Sequence, residues 1–129
     1  MKKSVWIVLA VMAFFCFLMQ PAFAAYDSTA AKAAMQKIAQ NMRDLQAKSA
    51  AKDYYGAAEK FMEVARLFKE LAVINPAKSD KETWNRIHGN LINAAFKGIG
   101  ACGAEDDAGV KQAIQDLIKY RNEGHKIFN

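Results

Sequence analysis

The side chains best equipped for chemistry are two histidines, His88 and His125, the methionines Met35 and Met42, and a single cysteine in the same part of the chain, Cys102. Imidazole nitrogen and thioether sulfur are both donors to transition-metal ions. His125 stands in the terminal stretch Tyr120-Arg121-Asn122-Glu123-Gly124-His125-Lys126-Ile127-Phe128-Asn129. On a helix it shares a stripe with Arg121, Ile118 and Ile114 at i−4, i−7 and i−11, and Phe128 follows at i+3. That spacing points the ring into the apolar side of its helix and away from water, where a nitrogen needs a partner. His88 shares a stripe with Ala95 and Cys102 at steps of seven, which makes it inward-facing or a boundary residue.

Other chemistries find less to work with. Di-iron helical bundles use Glu-x-x-His pairs, and Asn85 and Asn122 stand three residues before the two histidines. Cys102 has neither the neighbours of a zinc site nor those of an activated thiol. Glu59, Glu63 and Glu70 run along one side of a helical segment, but Lys60, Arg66 and Lys69 surround them, the pattern of a solvated face. No Gly-rich phosphate loop and no serine–histidine–acid arrangement stands out, and the expectation is a protein that is not an enzyme.

The elements that must position these groups are four amphipathic segments of about 20 residues each, separated by short breaks. The first starts after Ser28 or Thr29 and runs to about Ser49, with Met35, Ile38, Met42 and Leu45 at the 3-4-3 spacing of a packed seam. Asp53 is a plausible N-cap for the second, which carries Tyr54, Phe61 and Phe68, and Ala57, Val64 and Leu71, in steps of seven until Asn75-Pro76. Ser79-Asp80-Lys81-Glu82 reads as a capping box for the third, which lines up Trp84, Ile87, Leu91, Ala94 and Gly98 before Cys102-Gly103. Asp106 or Asp107 caps the fourth, with Val110, Ala113, Ile114, Leu117 and Ile118. No β-type alternation and no sequence repeat stands out. Short connections force neighbouring helices antiparallel, so the expected fold is an all-α, up-down-up-down four-helix bundle.

In that topology the start of the first helix, the end of the second, the start of the third and the end of the fourth share one end of the bundle. Met35, Phe68, Leu71, Trp84, His88 and His125 are thereby brought together. Met35 lies roughly 10 Å along its helix, at a height where it can meet His125 across the core. A thioether and an imidazole converging in an aromatic-lined apolar space form the ligand pair of a low-spin haem. His88 is a rival for the place of Met35, or a partner of His125 on a bare metal ion, and Met42, one heptad on, is another rival. Each group also has a plain structural reading: methionine as core filler, a histidine serving the C-terminal end of a helix dipole, and a boundary histidine flanking Trp84.

Residues 1–24 read as a cleaved export signal. Lys2 and Lys3 form a basic head, Val5 to Met19 an apolar run of about 15 residues, and Ala22-Phe23-Ala24 a cleavage site. Residues 25–129 then form a single four-helix-bundle domain, periplasmic and with no membrane segment after cleavage. Cleavage removes two lysines and no acid, taking the net charge from +5 to +3 with both signs interleaved. No basic patch with interleaved aromatics argues for nucleic acid. Cys16 departs with the signal, which leaves Cys102 without a disulfide partner.

Ala34-Met35-Gln36-Lys37-Ile38-Ala39-Gln40-Asn41-Met42, Glu82-Thr83-Trp84 with Arg86-Ile87-His88-Gly89, and Arg121-Asn122-x-x-His125 followed by Phe128 together resemble the cytochrome b562 and cytochrome c-prime group of four-helix-bundle haem proteins. The resemblance covers essentially residues 25–129. Its c-type members carry Cys-x-x-Cys-His at the terminal motif. Arg121 and Gly124 stand at the two cysteine positions here, so covalent attachment is excluded and the order is similar to the b562 type. The resemblance implies one non-covalent haem b, Met35 and His125 as axial ligands, and Arg121 paired with a propionate. It implies a one-electron carrier whose partners are periplasmic redox proteins, and whose Met–His ligation favours ferrous iron. The chain would be a monomer, or a homodimer through the Ala-rich faces of its first two helices. Two alternatives stand beside this reading. One is a haem-free cytochrome c-prime-like bundle serving as a metal- or partner-binding module; the other is a five-coordinate, gas-binding haem protein.

Overall fold

The structure, a computed structural model, describes residues 28–74, 76 and 80–128. The export signal, Asn75 and Ser79 lie outside the described residues. Four helices follow in chain order: α1 (Ser28–Ala50), α2 (Tyr54–Ala72), α3 (Lys81–Gly103) and α4 (Asp107–Phe128). No strand occurs among the described residues. Consecutive helices pack against each other, as in a four-helix bundle, and the α1–α4 interface is by far the thinnest. No described helix is long and apolar enough to cross a membrane.

The apolar spacing explains the core. Ile38, Met42 and Leu45 of α1, Ala57, Phe61, Val64, Phe68 and Leu71 of α2, Ile87, Leu91 and Ala94 of α3, and Val110, Ala113, Ile114 and Leu117 of α4 are all buried in one cluster. Three expected seam residues, Met35, Tyr54 and Ile118, are only half-buried at its margin. Gly98 is small because Phe61 crosses it: a Cβ there would lie 2.4 Å from the Phe61 ring.

The two tight turns share one geometry. Between α1 and α2, Lys52 adopts a left-handed φ of 55°, Lys52 N–H bonds Ser49 C=O and Asp53 N–H bonds Lys48 C=O. Between α3 and α4, Glu105 has φ 51°, Glu105 N–H bonds Cys102 C=O and Asp106 N–H bonds Ala101 C=O. Both are Schellman closures. In each, the next residue is an aspartate that caps the following helix: Asp53 accepts from Gly56 N–H at 2.9 Å, Asp106 from Gly109 N–H at 3.0 Å. The glycines follow from the caps, since a Cβ at Gly56 or Gly109 would lie 2.5 Å from the capping carboxylate. The signature is Ala-x-Asp-x-x-Gly at Ala51 and again at Ala104.

The shift in numbering that carries Asp53 to Asp106 also carries the core. It pairs the buried Ile38 with Leu91, Met42 with Ala95, Leu45 with Gly98 and Ser49 with Cys102. It pairs Ala57 with Val110, Phe61 with Ile114 and Val64 with Leu117, again all buried. The bundle is thus two equivalent helical hairpins, and at the end remote from the tight turns the equivalent of Met35 is His88.

Two expected helix ends are corrected. The N-cap of α3 is Asp80, which accepts from Thr83 N–H at 2.6 Å, in place of a box opened by Ser79. Helix α2 stops at Ala72, ahead of Asn75-Pro76. Trp84 Nε1–H takes the Ala72 carbonyl at 3.2 Å, satisfying a terminal acceptor of α2 with a side chain of α3.

Candidate functional site

At the end away from the tight turns the bundle holds a cavity of about 280 Å³, close to the lower bound of about 300 Å³ for small-molecule sites. All four helices contribute. Met35, Ile38 and Ala39 come from α1, Phe68 and Leu71 from α2, Trp84, Ile87, His88 and Leu91 from α3, and Tyr120, Arg121, Gly124, His125 and Phe128 from α4. The topology expected from the sequence brings its candidates together here: Met35, His88, Arg121 and His125 line one space. Met42 does not; it is buried in the core further from this end.

His88 is only 5 % exposed, fully inward where the sequence allowed a boundary position. Its Nδ1 lies 2.8 Å from the Trp84 carbonyl oxygen. A carbonyl can only accept, so Nδ1 carries the hydrogen and, in the neutral ring, the lone pair belongs to Nε2. Burial pushes the imidazolium below its ordinary range, with the Trp84 hydrogen bond opposing it more weakly. Aromatic neighbours fix the ring: Trp84 at 4.3 Å between centroids, and the edge of Phe68 at 6.2 Å. Trp84 is held in turn by its bond to Ala72 and by Phe128, edge-on at 4.8 Å. Nε2 has no hydrogen-bond partner among the described residues.

Arg121 presents a different incompleteness. Its Nε is enclosed and unpartnered, the one such side-chain nitrogen or oxygen among the described residues. The nearby acid Glu123 is engaged elsewhere, bound to Arg86 Nη2 at 2.9 Å across α3 and α4. An enclosed guanidinium donor without an acceptor costs about 1–3 kcal/mol, and Arg121 is also one of the residues that line the cavity.

His125 lines the cavity and is also exposed, which corrects the expectation of a ring turned wholly from water. Its helical phase places it on the cavity wall, and its exposure puts it at the edge of that space. Met35 sits half-buried on the α1 wall. Gly124 is not forced by packing: a Cβ would meet Ile87 Cγ2 at an ordinary 3.5 Å. Its smallness leaves space beside His125.

The other sequence candidates stay apart from this site. Arg66 bridges Glu63 and Glu70 on the outer face of α2, as a solvated face does. Cys102 is buried and unbonded to another cysteine, and burial raises its thiol pKa, the opposite of an activated thiolate. Among the described residues no three His, Cys, Asp or Glu side chains gather as a metal site.

The donor set fits a flat, apolar, carboxylate-bearing macrocycle better than a bare ion. The wall is largely aliphatic and aromatic, two imidazoles and a thioether enter from three helices, and an arginine, Arg121, stands among them. No family model, no curated protein and no solved structure matches the chain.

Proposed function

We propose that this is a periplasmic b-type cytochrome-like electron-transfer protein holding one non-covalent haem in the cavity at this end of the bundle. The observation that carries the reading is the gathering of two imidazoles, a thioether and Arg121 around one apolar cavity. His125, at the mouth, would hold the iron from one side, and either Met35, which the resemblance supplies, or His88 would hold it from the other. Bound haem would supply one-electron chemistry at iron.

The chain's own residues do the rest. Arg121 would pair with a propionate. Trp84, Phe68 and Phe128 wall the apolar side and would keep water from a bound haem, which would weight the iron toward the less charged oxidation state. The open mouth beside His125 leaves one edge accessible for docking a redox partner.

Titrating the purified protein with haemin tests this. A saturable low-spin spectrum at one haem per chain is expected, lost in His125→Ala. Absence of saturable haem binding, with tight copper binding instead, would favour the haem-free metal-binding bundle.

A further inference from the structure

The numbering shift that relates the two hairpins sets Met35 and His88 at equivalent places on α1 and α3, at the same end of the bundle. Both line the cavity. They differ in how they are held. Met35 is half-buried, and its unbranched side chain carries several rotatable bonds with no polar contact to fix it. His88 is immobilised on three sides: Nδ1–H on the Trp84 carbonyl at 2.8 Å, the Trp84 ring at 4.3 Å and the Phe68 edge at 6.2 Å.

That arrangement is the one metal-bound imidazoles have. A ligating histidine nearly always donates its other ring N–H to a carbonyl or carboxylate, which fixes the tautomer and makes the ligating nitrogen more basic. Here the backbone of α3 itself supplies the carbonyl one turn before the ring, so the second-ligand support exists in the protein before any cofactor arrives. Side chains already ordered lose less entropy on binding than one that must be recruited. Nε2 has no hydrogen-bond partner among the described residues and is not one of the sealed polar atoms, so its lone pair is free for a Lewis acid or a donor.

Resting on the haem-binding reading above, we infer that His88 Nε2, and not Met35 Sδ, is the second axial ligand beside His125, so that the site is bis-imidazole. Trp84 then acts as a positioning residue through its carbonyl and its ring. Met35 becomes part of the apolar wall, and the favouring of ferrous iron that a thioether would bring is lost.

The two assignments separate spectroscopically in the purified protein loaded with haemin. Thioether ligation gives the ferric protein a near-infrared sulfur-to-iron charge-transfer band, and bis-imidazole ligation does not. The expected result is a low-spin ferric protein without that band, unchanged in Met35→Leu. His88→Gln is expected to turn high-spin, or to acquire the sulfur band and a higher midpoint potential as Met35 takes the freed position. A sulfur band in the unsubstituted protein that Met35→Leu abolishes would overturn the inference, as would a His88→Gln spectrum identical to the parent. The spectrum of the unsubstituted protein and of Met35→Leu decides even where His88→Gln does not fold. Failure of the haem reading itself shows earlier and differently, as absence of saturable binding by the unsubstituted chain.

Discussion

Arg121 and His88 each carry a prediction in which affinity and stability part company. Arg121→Met keeps much of the apolar stem and removes the unpartnered Nε. A purely structural arginine would lose stability on that change. Here the haem-free protein is expected to be at least as stable by urea denaturation, while haemin affinity falls about tenfold or more, the loss of a charge-assisted hydrogen bond worth about 1.5–3 kcal/mol. His88 is held neutral by burial, below its ordinary value of 6.5. As pH falls, the unfolded chain therefore takes up the proton before the folded one does. Stability of the haem-free protein is unaffected by this group above that value and falls below it. Denaturation at about pH 7 and about pH 5 should show a drop that His88→Phe reduces; an unchanged drop would mean the ring is not desolvated. Helical phase made the inward side of His88 legible and put His125 on the cavity wall, but did not give its exposure. It could not rank their burial, because that depends on how closely neighbouring helices approach, which no single helix encodes.

At the level of elements, the matched turns predict matched energetics. Asp53→Ala and Asp106→Ala should each cost about 1 kcal/mol in thermal or chemical denaturation, since each removes the acceptor of one N-terminal amide. The glycines of α3 should diverge. Gly98→Ala drives a methyl into Phe61 and is expected to cost roughly 1–3 kcal/mol, whereas Gly100, with nothing within 4 Å of its Cβ position, should gain up to about 1 kcal/mol as alanine. The start of α2 was readable because an aspartate cap is a local signal, as at Asp53. The end of α2 was not, because Trp84, distant in sequence, satisfies the Ala72 carbonyl. The likeness of the two hairpins is hard to see in the sequence because only the turn residues coincide, while the core residues paired by the numbering shift, such as Met42 with Ala95 and Phe61 with Ile114, differ in size.

For the whole molecule, the two hairpins are alike and the bundle is nevertheless uneven. Each pair of consecutive helices packs closely, whereas α1 and α4 meet thinly, and all four helices line the cavity at one end of the bundle. A ligand filling the cavity would join the first helix to the last and stabilise the native state by mass action, by about 2.7 kcal/mol at a hundredfold excess over its dissociation constant. The all-helical architecture followed from apolar periodicity, and the gathering of Met35, His88, Arg121 and His125 followed from topology. The cavity itself was not legible, since it is a property of how distant helices pack together. The haemin titration of the purified protein tests the central claim most directly. The account predicts saturation at one haem per chain, a low-spin spectrum that depends on His125, and a melting temperature that rises with haemin. Haemin that associates without saturation, leaves the melting temperature unmoved and is indifferent to His88, Arg121 and His125 would contradict it.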